Sequence, residues 1–206
     1  MEGAEENAME RLGKRRLENI TDAIFAFAMT LLVLNIEVPE QVSATGGENP
    51  VFPLLASLLP DFFHYFTAFL VLAAFWFVHH CYYERFVKLD RTALWLGIGA
   101  LLMIALIPFT TNLADTYIGY GLSAVVFELN IAVIGLFFYL QWVYAESRGG
   151  LLKGNVGPKV SAQIVRSILV IPLASVIAIA LSLMGFTWSA LVLFVALPIS
   201  VLFFYG

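Results

Sequence analysis

Long apolar runs separated by short polar segments dominate this chain. Six runs are long enough to cross the hydrocarbon core of a bilayer, which takes about 20 mostly apolar residues in a helix. The runs cover residues 20–36, 60–83, 92–113, 118–145, 162–184 and 187–204, and residues 51–59 extend the second one. Lipid offers the backbone no hydrogen-bond partners, and the short alternating segments of strands are absent from the sequence. We therefore predict a single all-α domain, residues 1–206, with six transmembrane helices and a flexible segment at 1–15.

The composition agrees with a multi-pass membrane protein. Of 206 residues, 61% are hydrophobic and 13% are charged, whereas about a quarter of the residues in soluble domains are charged. Cys81 is the single cysteine of the sequence. A single cysteine excludes a disulfide framework and a metal site built from cysteines.

The basic residues fix a predicted orientation. All eleven precede the first apolar run, lie between the second and third, or lie around the segment between the fourth and fifth: Arg11, Lys14, Arg15, Arg16, Arg85, Lys88, Arg91, Arg148, Lys153, Lys159 and Arg166. The alternate loops carry acidic residues instead: Glu37, Glu40, Glu48 and Asp115. With six helices, every basic segment falls on one side. The positive-inside rule then predicts that both termini are cytoplasmic.

Ionisable residues inside apolar runs are costly and raise a question of function. Asp61 directly follows Pro60, so it fits the first turn of a helix, and it lies three residues before His64. These two side chains are too few for a metal site, and we predict none. Glu128 lies within the fourth run, where it fits either a buried hydrogen bond between helices or a role in permeation or protonation.

Other chemistries find little support. The sequence has no Ser/His/Asp arrangement, no HExxH motif and no paired aspartates at depth, so we predict that the chain is not an enzyme. The basic residues flank helices and do not indicate nucleic-acid binding. Residues 117–121 read Tyr-Ile-Gly-Tyr-Gly and resemble a potassium-channel filter. However, such a filter follows a re-entrant helix, and the short segment after the third run leaves no room for one.

The first apolar run carries a stripe of residues at helical spacing. Its members are Phe27, Thr30, Leu31 and Leu34. From periodicity alone, ordinary packing against another helix explains this stripe.

At this point the residues resemble a known family. The string Arg16-x-x-x-Ile20-Thr21-Asp22-Ala23 before an apolar helix is similar to the Arg-x-x-x-Phe-Ser-Asp-Gly signature of the prokaryotic relatives of the lysosomal potassium channel called transmembrane protein 175. Further matching strings are Thr30-Leu31-Leu32-Val33-Leu34, Val38-Pro39, Phe75-Trp76-Phe77-Val78-His79-His80 and Leu106-Ile107-Pro108-Phe109-Thr110. The resemblance covers residues 16–113, with Ile20 and Ala23 departing from the signature.

The resemblance implies a potassium-preferring cation channel in the prokaryotic plasma membrane. Family members are homotetramers whose first helices line the pore, with apolar rings in place of a carbonyl filter and without a re-entrant loop or cofactor. The implied pore-lining positions here are Phe27, Thr30, Leu31 and Leu34. Phe27 stands where the family usually has Ile or Leu, so it either narrows the pore or rotates away.

The resemblance also implies a hydrogen-bonded network that braces the first helix. Its members would be Arg16, Thr21, Asp22, Trp76, His79 and His80.

Two further readings of the sequence differ from a channel. One is a proton- or cation-coupled secondary transporter that uses Asp61, His64 and Glu128. Transporters usually show paired repeats or broken helices at mid-membrane, and no convincing repeat is present in this sequence. The other is a structural or chaperone-like membrane protein without permeation.

Overall fold

The computed structural model describes residues 2–38, 51–186 and 188–205, and α-helices form most of this part. In chain order the helices are α1 (Glu2–Leu31), α2 (Val51–Ser57), α3 (Leu59–Tyr83), α4 (Arg91–Ala105), α5 (Ile107–Thr116), α6 (Gly121–Ser147), α7 (Pro158–Leu183) and α8 (Ala190–Tyr205). A 3-10 turn, Leu32–Asn35, continues α1. The predicted all-α class is therefore confirmed.

Five helical stretches within the described residues are long and apolar enough to cross a membrane. They are Gly13–Asn35, Leu59–Tyr83, Arg91–Thr116, Gly121–Ser147 and Pro158–Leu183. The sixth predicted run forms α8, whose apolar stretch Ala190–Ser200 is shorter. The chain is thus a multi-pass membrane protein.

Two helices differ from the predicted runs. Helix α1 begins at Glu2, well before the predicted start at residue 20, so residues 2–15, which were predicted to form a flexible segment, are helical. The third run is not one straight helix, since it breaks at Leu106 between α4 and α5. Pro108 lies in the first turn of α5 and has no amide hydrogen to give to the preceding turn, which explains the break.

Helix α6 lies at the centre of the bundle and packs against α4, α5 and α7, while α8 packs against α7 and α3. Helix α6 approaches α7 closely at Gly135. A Cβ atom added there would lie 2.4 Å from Cγ of Pro172 in α7. Only a glycine lets the two helices meet at this distance, as small residues do in many membrane bundles.

The three basic segments meet at one end of the bundle, which we call the basic end. Backbone hydrogen bonds join the segment after α3 to the segment after α6, from Val87 N to Leu151 O and from Lys153 N to Arg85 O, both at 2.8 Å. Lys14 Nζ donates to Phe86 O at 2.8 Å and ties α1 to the same place. The grouping of charges read from the sequence thus corresponds to one physical surface.

Candidate functional site

Helix α1 has two faces of different character. The face that packs on the bundle is buried and repeats every three or four residues: Leu17, Thr21, Phe25, Ala28 and Leu32. The hydroxyl of Thr21 donates to Leu17 O at 2.8 Å, so this polar side chain is satisfied within its own helix. Side chains on the opposite face are largely exposed.

That opposite face carries the stripe predicted from the sequence. Phe27 is 69% exposed, Leu31 45% and Leu34 71%, although all three are large apolar side chains. Thr30 is also exposed, and its hydroxyl donates to Phe27 O at 2.9 Å, leaving the oxygen lone pairs directed outward. Ordinary packing within the chain therefore does not explain these four positions.

The far end of α1 is tied to the break between α4 and α5. Asn35 Nδ2 donates to Pro108 O at 2.9 Å, immediately after Leu34. The sequence analysis missed this contact, although a lone amide at the end of an apolar run is a signal for such a tether. The bond fixes the position of the exposed stripe relative to the rest of the bundle.

Nearer the basic end, the structure brings together part of the predicted bracing network. Trp76 Nε1 donates to Asp22 Oδ1 at 2.9 Å, and the Trp76 and His80 rings stack with centroids 5.7 Å apart. His79 points elsewhere: it is buried and stacks on Tyr83 at 4.6 Å. Asp22, Trp76 and His80 therefore form one surface cluster between α1 and α3.

The two remaining members of that predicted set lie outside this cluster. Thr21 faces the core, as described above, and Arg16 is exposed one turn or more before Asp22. Among the described residues of this region, one direct side-chain hydrogen bond joins α1 to α3, and it does not involve Arg16, Thr21 or His79.

A second cluster of polar side chains lies inside the bundle, at the end opposite the basic end. Glu128 of α6 is completely buried. Its carboxylate oxygens accept from Ser182 Oγ at 2.9 and 3.0 Å and from Ser189 Oγ at 2.5 Å, and the two hydroxyl oxygens lie 2.7 Å apart. This group joins α6 to the end of α7 and the start of α8.

His64 and Asp61 do not act as a pair. His64 Nδ1 is in ion-pair contact with Asp115 Oδ1 of α5, and both side chains are about nine-tenths buried. Asp61 lies in the first turn of α3, where its charge suits the positive end of the helix. Among the described residues, no group of three or more His, Cys, Asp or Glu side chains is placed to hold a metal ion.

Two buried amides of α6 are further residues that the sequence analysis did not assign. Asn130 Nδ2 donates to Met103 O at 3.1 Å, beside the break after α4. Gln141 Nε2 donates to Ala93 O at 2.9 Å, and its oxygen accepts from Tyr82 OH at 2.8 Å. Amides within an otherwise apolar run are the signal that could have found them, since such groups need partners in lipid.

Comparison with known proteins shows that this chain is similar to ion channels. A family model described as the endosomal/lysosomal potassium channel TMEM175 matches residues 16–108. A protein of Streptomyces collinus named as a potassium channel is 27% identical over 189 residues, which cover 90% of this chain and 84% of that protein. The endosomal/lysosomal proton channel TMEM175 of Danio rerio is 34% identical over 86 residues, covering 40% of this chain and 16% of that protein.

A solved structure shares the fold. The crystal structure of a lysosomal potassium-selective channel TMEM175 homolog from Chamaesiphon minutus superposes with a TM-score of 0.76 and 23% identity, covering 92% of this chain and 95% of that one. The family match falls within residues 16–113, where the sequence analysis placed the resemblance. These names describe ion channels, which confirms the prediction that the chain is not an enzyme.

Proposed function

Because a family model of the potassium channel TMEM175 matches residues 16–108 and the fold matches that of a solved TMEM175 homolog, we propose that this chain is a TMEM175-type protein that forms a potassium-permeable channel. In this proposal the permeating ion is the only non-protein component, without a cofactor. Four copies assemble, and their α1 helices line a central pore. Six helices per copy, with α8 as the last and without a re-entrant loop, surround that pore.

The exposed stripe on α1 is the observation that carries this proposal. The stretch Gly13–Asn35 buries 28% of its most apolar part, against 33% for Arg91–Thr116 and 44% for α3, α6 and α7. An apolar stripe left uncovered by its own chain on a membrane helix faces lipid, another copy or a pore. Thr30 adds a hydroxyl to this stripe, and in the proposed pore its oxygen accepts hydrogen bonds from water.

The chemistry of the stripe supports passive conduction. Rings of four leucines at Leu31 and Leu34 exclude water when the pore is narrow and admit it when the pore widens, which is gating by dewetting. Hydrophobic rings prefer neither potassium nor sodium by coordination, so ring diameter and the Thr30 hydroxyls set the preference. Phe27 is exposed on the same stripe, which supports a further ring that narrows the path.

The contact between Asp22 and Trp76 fits a role in bracing the pore helix. It joins α1 to α3 between the stripe and the basic end, and the His80 ring stacks on the Trp76 indole. Within the proposal, this cluster holds α1 at a fixed rotation, so that Phe27, Leu31 and Leu34 keep facing the axis. Arg16, Thr21 and His79 belong to the wider support of the same region.

The proposed orientation follows from the charges. The basic end faces the cytoplasm, as do both termini, and the membrane is the plasma membrane of a prokaryotic cell. Glu37 then lies at the outer mouth of the pore, where its charge concentrates cations. Glu40 and Glu48, which the same idea includes, lie outside the described residues.

The test is a reversal potential. Purified protein in a planar bilayer, with potassium on one side and sodium on the other, is expected to carry a current that reverses near the potassium equilibrium potential. Chemical cross-linking in detergent is expected to stop at four copies. A protein that is folded but carries no current in either ion would contradict the channel.

The second candidate is a coupled transporter, and the burial of Glu128 beside a small cavity is the observation that favours it. In that case Glu128 and Asp61 take part in permeation or protonation. Saturable flux into liposomes that depends on a pH gradient indicates the transporter, whereas a linear current–voltage relation indicates the channel. Adding a proton gradient to the bilayer assay also tests proton permeation, the activity named for the Danio rerio relative.

A further inference from the structure

Glu128 is a carboxyl group in an unusual place. It is completely buried in a helix that crosses the membrane, and Ser182 and Ser189 around it are each 2% exposed. Removing an ionised carboxylate from water is expensive unless a charge or several hydrogen bonds compensate it. The partners observed here are neutral hydroxyls, so the protonation state of the carboxyl group has to be read from the hydrogen bonds themselves.

Counting protons gives that state. The carboxyl group, the Ser182 hydroxyl and the Ser189 hydroxyl are joined in three pairs by distances of 2.5 to 3.0 Å, with Ser182 Oγ near both carboxyl oxygens, and each pair of groups needs one proton for its contact. Each serine hydroxyl supplies one proton, and an ionised carboxylate supplies none. Two protons cannot fill three contacts, and a proton on Glu128 completes the ring.

We propose that Glu128, Ser182 and Ser189 form a proton-binding site away from α1. The bound proton closes a ring that joins α6, the last turn of α7 and the start of α8. The ligand is a proton rather than a metal ion, because the four oxygens lie within hydrogen-bond distance of one another and Glu128 is the one carboxyl group among them. This site goes beyond the proposed channel and does not depend on it.

A cavity provides the route by which the proton exchanges. It has a volume of about 60 Å³, and Glu128 and Ser189 lie on one wall and His64 on another. The exposed loop residues Ile118 and Tyr120 also line it, so it leads from the buried ring toward the surface opposite the basic end. Such a volume holds a few waters, and the described lining includes no residue of α1.

The other titratable side chains near the cavity are His64, Asp115, Asp61 and Tyr120. From α3, His64 faces the cavity and is held by Asp115 of α5. Asp61 lies one turn before His64 in α3 and is partly exposed. His64 therefore lines the same cavity as Glu128 and Ser189, while its Nδ1 is held by Asp115.

Carbodiimide labelling tests the site directly. Dicyclohexylcarbodiimide is apolar and adds to protonated carboxylic acids, so in proteoliposomes at neutral pH we expect a mass adduct on the peptide containing Glu128. Glu128→Gln is expected to lose this adduct and to remain folded, because the amide both donates and accepts and keeps the ring closed. Asp61→Asn, which changes a carboxyl group outside the ring, is expected to leave the adduct in place.

Infrared spectroscopy provides a readout that needs no access for a reagent. The wild-type protein is expected to show the carbonyl stretch of a protonated carboxylic acid, which Glu128→Gln removes and Asp61→Asn retains. In Ser189→Ala the band is expected to stay and to shift to higher frequency, because the acid loses one hydrogen bond. A wild-type spectrum identical to that of Glu128→Gln in this region, together with an unlabelled Glu128, would overturn the proposal.

Discussion

Helices α1 and α6 are both long and apolar, yet the bundle uses them in opposite ways. Helix α6 packs against α4, α5 and α7 and buries its polar side chains Glu128, Asn130 and Gln141, which are hydrogen-bonded, while Leu129 on another face stays exposed. Helix α1 leaves Phe27 and Leu34 uncovered although they are apolar. In a water-soluble protein, polar side chains would be exposed and large apolar side chains would be buried.

The difference teaches how to read a membrane bundle. Lipid tails are as apolar as leucine, so burial of leucine drives association of helices only weakly. Polar groups instead mark the inside, because a buried amide or carboxyl without a partner in lipid is costly. In a membrane protein, an uncovered apolar stripe therefore says little about how the chain folds. It points instead to what contacts that face from outside the chain.

The largest expected effect breaks the packed side of this comparison. In Gly135→Ala the new Cβ would lie 2.4 Å from Cγ of Pro172, so α6 and α7 must separate. Overpacking of this kind costs about 1–3 kcal/mol, and we expect a clear loss of thermal stability in detergent. Gly119→Ala is the matched control, since nothing lies within 4 Å of the added atom. Equal stability of the two variants would show that the contact is not tight.

The second prediction concerns the uncovered side. Leu34→Ala is expected to leave stability within about 0.5 kcal/mol, as for other exposed positions. Within the proposed pore, removing the ring lowers the barrier for sodium, and a reduction of about 1.4 kcal/mol raises the sodium current roughly tenfold. Single-channel recording in mixed potassium and sodium measures this. Leu129→Ala, at an exposed position of α6, should change neither property.

The third prediction sharpens the comparison at the point where the two regions are connected. Asn35→Ala removes the donor to Pro108 O, which frees the end of α1 from the break after α4. The expected cost is about 0.5–1.5 kcal/mol for one hydrogen bond, together with a change in open probability. Asn35→Gln keeps an amide but moves it, and it is expected to restore part of the wild-type gating. Unaltered gating in both variants would mean that the tether does not position the stripe.

The smallest effect is electrostatic. Neutralising the exposed Glu37 in Glu37→Gln is expected to lower conductance at about 0.01 M salt, where charges act over roughly 30 Å, and not at about 1 M, where they act over roughly 3 Å. The conductances of the wild-type protein and Glu37→Gln are compared across this range of salt concentration. A reduction that persists at high salt would indicate a steric effect of the substitution.

Much of the fold could be predicted from the sequence because hydropathy and charge are local properties. The apolar runs gave the helical class, the basic residues gave one charged end, and residues 16–113 gave the family resemblance. The break at Leu106 was missed because a proline near the middle of an apolar run is also compatible with a kinked helix. The start of α1 was missed because its lead is polar and carries no strong signal for either state.

The site could be predicted only in part. The positions of the α1 stripe followed from the resemblance, but their spacing alone fits core packing equally well. The partners of Asp22 and Glu128 come from residues 54 positions away or more, and no local pattern contains such pairings. His64 shows the same limit, since the nearer Asp61 was considered and the distant Asp115 is its partner.

The sequence by itself determined that this chain lies in a membrane as helices, with its basic residues on one side, because each of these properties depends on the composition of a short segment. Only the tertiary structure decided which apolar residues are uncovered, which amides hold the helices together and which hydroxyls close around Glu128. The physical reason is that lipid does not distinguish one apolar face from another, so helix assignment depends on a few polar contacts between residues far apart in the chain.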